Sequence, residues 1–324
     1  MNYSAPKDYS ALTGLAPEKF CDPDVTADGG RRARVGLKAL RTLWFNTGTL
    51  CNLTCRSCYI ESSPRNDALI YLTLDEVVGY LDEIAALGLP TREIGLTGGE
   101  PFLNPELIDM IAVALERGFE VLVLTNAMRP MMKQARPLLE LRRRLPTSRL
   151  TFRVSLDHYD PALHLSERGP NSWAPVIDGL KWLADQGFRV HVAGRDFSGE
   201  PEPALRAGYA RLFERLGLTI DALDPVQLVL FPEMDGGRDV PEITESCWDI
   251  LGVCPDDVMC ATSRMVVKRK GAPAPSVVSC TLLPFDPRFE MGATLADAAG
   301  DVPLNHPHCA RFCVLGGGSC SARD

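Results

Sequence analysis

Short apolar runs alternate with amphipathic segments along the middle of the chain. Each run is rich in β-branched and aliphatic residues and is mostly apolar on both faces, which is typical of strands inside a parallel sheet. The runs are Arg41–Phe45, Glu93–Thr97, Glu120–Asn126, Leu150–Leu156, Phe188–Gly194 and Val226–Phe231. Strands that alternate with helices imply parallel pairing through right-handed crossovers. Six such units are too few for a closed eightfold barrel, so we predict an α/β fold built as an open, partial (β/α)6 barrel.

The amphipathic segments carry signals for helix starts and ends. Thr73–Glu76 reads Thr-Leu-Asp-Glu and predicts a capping box. Asn104, followed by Pro105, predicts a second helix start. Gly118 and Gly187 follow two helical segments and predict left-handed C-caps.

The pattern changes after Phe231, and the remainder is rich in cysteine, glycine and proline. Between Cys260 and Cys280 the chain predicts two strands around a Gly/Pro turn. We therefore predict three parts: a lead-in over 1–40 that packs on the barrel, a TIM-like partial barrel over 41–240, and a small Cys-rich α+β appendage over 241–324.

Composition and charge narrow the class of protein. The 324 residues are 45% apolar and 23% charged, which is ordinary for a globular protein. No apolar run is long enough to span a bilayer, and the first residues lack a signal-peptide pattern, so a cytoplasmic protein without a membrane partner is predicted. The net charge of −8 disfavours a nucleic-acid partner.

The 11 cysteines are the strongest chemical signal. In a reducing compartment, thiols at short spacings indicate metal ligands before disulfides. Cys51, Cys55 and Cys58 have the spacing C-x3-C-x2-C, and three thiolates suit a [4Fe-4S] cluster with one iron left open. A structural zinc site is the alternative, although zinc motifs bring a fourth ligand. Cys21 stands alone and is predicted to be a small buried apolar residue.

This loop resembles the signature of the radical S-adenosylmethionine (SAM) superfamily. Its last cysteine is followed by the aromatic Tyr59, and Thr97–Pro101 reads Thr-Gly-Gly-Glu-Pro directly after the second predicted strand. The resemblance implies that the open iron binds SAM. It also implies that one electron from the cluster cleaves SAM to a 5′-deoxyadenosyl radical, which takes a hydrogen atom from a substrate.

The resemblance also implies which residues hold SAM. Gly98, Gly99 and Glu100 would hold the ammonium group, and Ser155 and Asp157 the ribose, while Asn126 is similarly placed. Arg195 ends the fifth predicted strand and would pair with the SAM carboxylate or with substrate.

Two of these residues also have structural alternatives. Asp157 could instead cap a turn, and Arg195 could form a surface ion pair. His158, Tyr159, His164 and Arg168 follow the fourth strand and are candidates to face substrate.

The C-terminal cysteines resemble the SPASM/twitch appendage of radical SAM enzymes. Cys260 and Cys280 bracket the hairpin, and Cys309 and Cys313 follow a short helical segment. The resemblance implies one auxiliary [4Fe-4S] cluster on these four thiolates. Cys320 is an alternative ligand to either of the last two, and a zinc site that includes His306 or His308 stays open.

The substrate is less constrained than the cofactors. Only 40 residues precede the first strand of the predicted barrel, fewer than a peptide-recognition domain needs, so a small-molecule substrate is favoured over a peptide. A reductase or flavodoxin-type protein would supply electrons. The alternative function is an iron–sulfur electron-transfer or redox-sensing protein that does not turn over SAM.

Overall fold

A parallel sheet with helices on its outer face dominates the computed structural model, which describes residues 16–233 and 239–318. The strands are β1 Arg34–Val35, β2 Thr42–Asn46, β3 Glu93–Thr97, β4 Glu120–Thr125, β5 Leu150–Ser155, β6 Arg189–Asp196, β7 Leu228–Pro232, β8 Ser263–Val267, β9 Ser276–Val278, β10 Glu290–Gly292 and β11 Val302–Pro303. The α-helices are α1 Leu74–Ala86, α2 Leu107–Glu116, α3 Arg129–Lys133, α4 Ala135–Arg144, α5 Pro161–Arg168, α6 Trp173–Asp185, α7 Glu202–Leu216 and α8 Cys247–Leu251.

Nine strands form one sheet in the order β10-β9-β8-β2-β3-β4-β5-β6-β7. Every neighbouring pair from β8 through β7 is parallel, while β9 and β10 are added antiparallel at one edge. The six predicted strands are β2 to β7, so the open (β/α)6 barrel is confirmed. The predicted C-terminal hairpin is β8 and β9, and it extends the barrel sheet beside β2 rather than standing apart from it.

Local signals account for most helix ends. The Thr73 backbone N–H donates to the Glu76 carboxylate at 2.9 Å and the Glu76 N–H to the Thr73 hydroxyl at 3.3 Å, so the capping box is confirmed. Gly118 and Gly187 have φ of +88° and +70°, as predicted for C-caps. The start predicted at Asn104 was early, since α2 begins at Leu107, although Asn104 Oδ1 accepts the Glu106 N–H at 2.9 Å as a capping side chain does.

Strand alternation divides the core into two apolar clusters. Leu43 and Phe45 of β2 pack with the barrel helices, whereas Trp44 points to the other face and packs with the C-terminal region. Gly95 on β3 makes room for this ring, because a Cβ there would lie 2.2 Å from Trp44 Cε3.

The N-terminal lead-in is tied to the C-terminal region. Strand β1 pairs antiparallel with β11. The Arg32 guanidinium lies 2.5 Å from the Glu242 carboxylate, and both side chains are almost fully buried. Truncating one partner of such a pair leaves a buried uncompensated charge, so this contact holds the lead-in to the C-terminal region.

Two further sequence-based predictions can be compared with the structure. Cys21 is exposed and its Sγ lies 3.1 Å from the Pro17 carbonyl, so the prediction of a buried apolar residue was wrong. Within the described residues, none of the helices combines the length and the apolar character that crossing a membrane requires. Cys320, the alternative ligand, lies outside the described residues.

Candidate functional site

The three-cysteine loop begins where β2 ends and is held against the neighbouring strand. Both the backbone N–H and the hydroxyl of Thr47 donate to the Thr97 carbonyl, at 2.8 and 2.9 Å. Farther along the loop, the Cys51 N–H donates to the Ser63 carbonyl at 3.1 Å. The loop therefore lies at the carboxyl ends of β2 and β3, where parallel α/β folds place their chemistry.

The glycine pair after β3 allows close approach to this loop. The N–H of Gly99 donates to the Gly48 carbonyl at 2.8 Å. A Cβ at Gly99 would lie 2.2 Å from the Leu50 carbonyl oxygen, and one at Gly98, whose φ is +141°, would lie 2.5 Å from the Gly48 oxygen. The motif therefore needs glycine because two backbone segments touch here.

Backbone N–H groups point at the sulfur atoms of the loop. Cys51 Sγ accepts from the Leu53 N–H at 3.4 Å, and Cys58 Sγ accepts from the Ser62 N–H at 3.3 Å. Burial raises the pKa of Cys51 to about 12, and burial also raises the pKa of Cys55, against the opposing effect of Arg168 and Arg195. Thiolates in this pocket therefore need a positive partner such as iron.

One cavity of about 170 Å³ collects nearly all the residues predicted to bind the cluster and SAM. The predicted residues that line it are Cys51, Cys55, Cys58, Tyr59, Gly98, Gly99, Asn126, Ser155, Asp157 and Arg195. These residues come from the ends of five different strands or the loops that follow them, so only the barrel brings them together.

Glu100 does not line this cavity. The residue is 2% exposed, and its carboxylate accepts hydrogen bonds from the Phe102 N–H at 3.2 Å, the Thr125 hydroxyl at 2.8 Å and the Asn126 N–H at 2.8 Å. The side chain thus joins the glycine motif to the end of β4 and places Asn126 in the cavity. Its predicted contact with an ammonium group remains a prediction.

Because burial raises the pKa of Glu100 to about 7, this residue makes stability depend on pH. The unfolded carboxyl loses its proton near pH 4.5, while the folded one keeps it until about pH 7. We compare the free energy of unfolding of wild type with that of Glu100→Gln. The difference, wild type minus variant, should be most favourable to wild type below pH 4.5. It should fall by ~3 kcal/mol as the pH rises to about 7 and stay flat above.

Urea unfolding of both proteins between pH 4.5 and 8 measures this difference in the free energy of unfolding. Glu116→Gln, which removes a carboxylate on an exposed helix surface, is the control for the substitution itself. A constant difference for Glu100→Gln over the same range would contradict the assigned burial effect.

The polar residues at the ends of β5 and β6 are held by ion pairs. Both carboxylate oxygens of Asp157 accept from the Arg168 guanidinium, each at 2.9 Å. Arg195 places one terminal nitrogen 2.8 Å from Glu167 and the other 3.1 Å from Glu233. Both carboxylate oxygens of Asp157 and both terminal nitrogens of Arg195 therefore already have protein partners at the cavity wall.

Three of the four candidates for facing substrate do not line this cavity. His158 is buried, and its Nδ1 accepts the Asp160 N–H at 2.9 Å while its Nε2 lies 3.4 Å from Glu200. His164 is buried against Trp173, with ring centroids 5.5 Å apart. Only Arg168 reaches the cavity wall.

A second, smaller cavity collects the predicted auxiliary ligands. Cys260, Cys280, Cys309 and Cys313 all line it, together with His308. Cys309 and Cys313 lie within a π-helical segment, Cys309–Leu315, whose turn is wider than that of an α-helix, and the spacing of four residues brings both to one side. Burial raises the pKa of Cys260 to about 11 and of Cys309 to about 12.

The donor sets of both cavities fit iron–sulfur clusters. The sulfur atoms of Cys51, Cys58 and Cys280 accept hydrogen bonds from backbone N–H groups. Such hydrogen bonds to sulfur influence the reduction potential of iron–sulfur clusters. Ser62 lines the first cavity, and its buried hydroxyl has no hydrogen-bond partner among the described residues. This hydroxyl is therefore available to a bound ligand.

A zinc site needs three or four ligand side chains around one ion. Over residues 16–233 and 239–318, no three His, Cys, Asp or Glu side chains are grouped around a position for a single ion. A cubane cluster places each thiolate on a different iron, so its ligands lie farther apart than those of one ion.

Sequence reasoning missed the apolar side of the first cavity. Phe231, Leu282 and Phe312 line it, and the rings of Phe231 and Phe312 lie 5.5 Å apart. Leu282 also lines the second cavity, so it forms part of the wall between the two. The position of Phe312 between Cys309 and Cys313 was the one sequence feature that could have indicated its place near a cavity. No short-range sequence pattern shows that the C-terminal segment reaches the barrel mouth.

Comparisons with known proteins agree with this geometry. AlbA of Bacillus subtilis, an antilisterial bacteriocin subtilosin biosynthesis protein, is 33% identical over 144 residues, which are 44% of this chain and 30% of AlbA. GTP 3′,8-cyclase of Pseudomonas fluorescens is 32% identical over 139 residues, 43% of this chain and 40% of that protein. The chain thus matches well under half the length of these curated relatives.

Solved structures share the fold at low sequence identity. SuiB of Streptococcus suis, bound to its precursor peptide SuiA, superposes with a TM-score of 0.59 at 13% identity, over 83% of this chain and 66% of SuiB. The structure of native anSMEcpe with bound AdoMet superposes with a TM-score of 0.55 at 13% identity, over 79% of both chains. Residues 45–197, just under half of the chain, match the family model of the Radical SAM superfamily, which identifies this part of the chain as a radical SAM domain.

Proposed function

We propose that the protein is a radical SAM enzyme of the SPASM/twitch type, with a SAM-binding [4Fe-4S] cluster and one auxiliary [4Fe-4S] cluster. One observation carries the proposal: a single cavity is lined by the three loop cysteines and by Gly98, Gly99, Asn126, Ser155 and Asp157. When bound, the reduced cluster and SAM supply a radical that removes a hydrogen atom from substrate.

The chain's own residues hold and shield the reactants. Cys51, Cys55 and Cys58 would bind the cluster, and the polar cavity wall would orient SAM. Phe231, Leu282 and Phe312 add apolar surface to the same cavity, which would help to exclude water from the reacting atoms. The cavity thus combines polar groups that would hold SAM with apolar surface that would contact substrate.

The auxiliary cluster would bind to Cys260, Cys280, Cys309 and Cys313. Arg264, buried beside them, donates to the Cys260 carbonyl at 2.5 Å and to the Ala298 carbonyl at 2.8 Å, which positions the first of these ligands. Leu282 lies between the two cavities, so the auxiliary cluster would lie next to the substrate side of the barrel mouth.

The substrate is a small molecule or a peptide. AlbA is named for the biosynthesis of a bacteriocin and SuiB is solved with a precursor peptide, while GTP 3′,8-cyclase is named for a nucleotide. These relatives support both classes. Electrons would come from a reductase or a flavodoxin-type protein in the reducing cytoplasm, where thiol ligands stay available.

Anaerobic reconstitution with iron and sulfide tests the proposal. Addition of dithionite and SAM to the reconstituted protein should produce 5′-deoxyadenosine and methionine. A brown protein with intact clusters that produces neither would instead be an iron–sulfur electron-transfer or redox-sensing protein. A colourless protein that binds zinc stoichiometrically would exclude both functions.

A further inference from the structure

Two asparagine side chains join the cysteine loop to the end of β4. The Asn126 amide nitrogen donates to Asn52 Oδ1 at 3.0 Å, and Asn52 directly follows Cys51 in the loop. The same nitrogen makes a long N–H···S contact of 3.9 Å with Cys51 Sγ. An amide nitrogen carries two N–H groups, enough for both acceptors. We call Asn52 and Asn126 the asparagine bridge.

The backbone fixes the orientation of the Asn126 amide. Its Oδ1 accepts the Met128 N–H at 3.1 Å. Because this N–H needs an acceptor, the amide oxygen faces the backbone and the nitrogen faces the loop. Each polar atom of the Asn126 side chain therefore has a protein partner, although the residue lines the first cavity.

The turn that carries Asn126 is held by the surrounding fold. Ala127 is fully buried with φ of +53°, a left-handed conformation that a non-glycine residue keeps only when its surroundings impose it. Its N–H donates to the Thr125 hydroxyl at 3.0 Å, and Glu100 accepts the Asn126 N–H. Helix α6 packs directly on the turn, since a Cβ at Gly179 would lie 1.7 Å from the Ala127 oxygen. The fold, and not the loop, thus places the amide.

The contact between the Asn126 amide and sulfur is shielded from water. Cys51 is 7% exposed and Asn126 is 5% exposed, so the N–H dipole acts in a medium of low dielectric constant. Reduction adds negative charge to an iron–sulfur cluster, and an N–H group that points at a ligand sulfur stabilises that charge. The Leu53 N–H donates to the same sulfur at 3.4 Å, so Asn126 adds a second donor from a different strand end.

We propose that Asn126 and Asn52 are positioning residues for the cluster on the cysteine loop. Asn126 raises the reduction potential through its contact with Cys51 Sγ, and the asparagine bridge holds the loop against the end of β4. The inference rests on the proposed function, since it needs a cluster on Cys51, Cys55 and Cys58. It assigns the Asn126 side chain to the ligand loop rather than to SAM.

The test measures two properties of the anaerobically reconstituted protein: the reduction potential by EPR-monitored titration with dithionite, and the rate of iron loss to a chelator. The loop cluster is the one whose EPR signal changes when SAM is added. Asn126→Ala should make its potential more negative, because Cys51 Sγ loses a donor. The variant should also lose iron on the order of tenfold faster, because the loop loses an outer contact.

Asn52→Ala separates the position of the loop from the hydrogen bond to sulfur. It removes the asparagine bridge but keeps the Asn126 amide, which the Met128 N–H still orients. We expect iron loss on the order of tenfold faster, with a potential close to that of wild type. Asn126→Leu, which keeps a similar volume without polar atoms, repeats the measurement of potential if Asn126→Ala does not fold.

Asn104 provides the matched control. It is 2% exposed, and its amide donates to the Thr47 and Leu72 carbonyls at 3.3 and 2.9 Å, so its partners are oxygen atoms. Asn104→Ala therefore also removes a buried amide beside the start of the loop, at a residue that lines neither cavity. It should unfold at a lower urea concentration than wild type while its reduction potential is unchanged.

The outcomes distinguish this inference from the proposed function. Wild type that forms no cluster on the loop would refute the proposed function itself. Given a normal cluster in wild type, an unchanged potential in the Asn126 variant, or an equal shift in Asn104→Ala, would overturn the inference alone. A folded Asn126→Leu that binds no loop cluster would also overturn it, because assembly would then depend on this side chain. A merely structural role predicts lower stability and faster iron loss without a shift in potential specific to Asn126.

Discussion

Cys55→Ala is expected to reduce SAM cleavage to the level of a protein-free control. Cys55 lies between the other two loop cysteines and lines the same cavity as they do. Two remaining thiols cannot hold a cubane cluster with one open iron, so neither the electron source nor the SAM anchor would form. The measurement is 5′-deoxyadenosine released with dithionite and SAM, together with iron content, which should fall by about four atoms per chain.

Cys21→Ala is the matched control for this variant. Its thiol is exposed and lies outside both cavities, so cleavage and iron content should equal those of wild type. Normal 5′-deoxyadenosine formation by Cys55→Ala would mean that the three-cysteine loop does not hold the SAM cluster. The central part of the proposed function would then be wrong.

Cys280→Ala should separate the two clusters. Its thiol lines the second cavity, and its Sγ accepts the Leu282 N–H at 3.4 Å, next to the wall shared with the first cavity. The variant should lose the auxiliary iron but still cleave SAM, because the loop cysteines are untouched. Cleavage without substrate turnover is therefore expected, measured as 5′-deoxyadenosine formed without product once a substrate is known.

The iron content can be tested before any substrate is identified. We expect Cys280→Ala to hold about four fewer irons per chain than wild type, and Cys254→Ala, whose thiol is exposed and lines neither cavity, to hold the full number. Equal iron in both variants, or full product formation by Cys280→Ala, would refute the auxiliary role of this cysteine.

Short-range sequence signals predicted the barrel well, because they depend on local physical chemistry. Buried parallel strands show as apolar runs, and the predicted run Glu93–Thr97 coincides with β3. The capping box at Thr73 involves residues three positions apart, so the sequence alone specifies it. The helix predicted to start at Asn104 begins at Leu107, and the Asn104 amide also donates to the Thr47 and Leu72 carbonyls, contacts that no local signal predicts.

The candidate site was predictable where a motif was continuous in the chain. The cysteine loop and the glycine motif are each a few residues long, and their order relative to β2 and β3 follows from the strand pattern. Glu100 shows the limit: its residue type agrees with a contact to an ammonium group, but the fold surrounds its carboxylate with Thr125 and Asn126. Such long-range hydrogen bonds have no local signal.

The sequence by itself determined the candidate ligands that we predict: three thiols in one loop, four of the C-terminal cysteines, and a parallel sheet to carry the first group. Only the tertiary structure decided what surrounds them. It turned Ser57 toward Arg195 and Glu167, which are 138 and 110 residues away, and it placed Phe312 and Leu282 across the barrel mouth. Such contacts depend on how distant elements pack, since charge balance and apolar burial are optimised over the whole fold and not within any one segment.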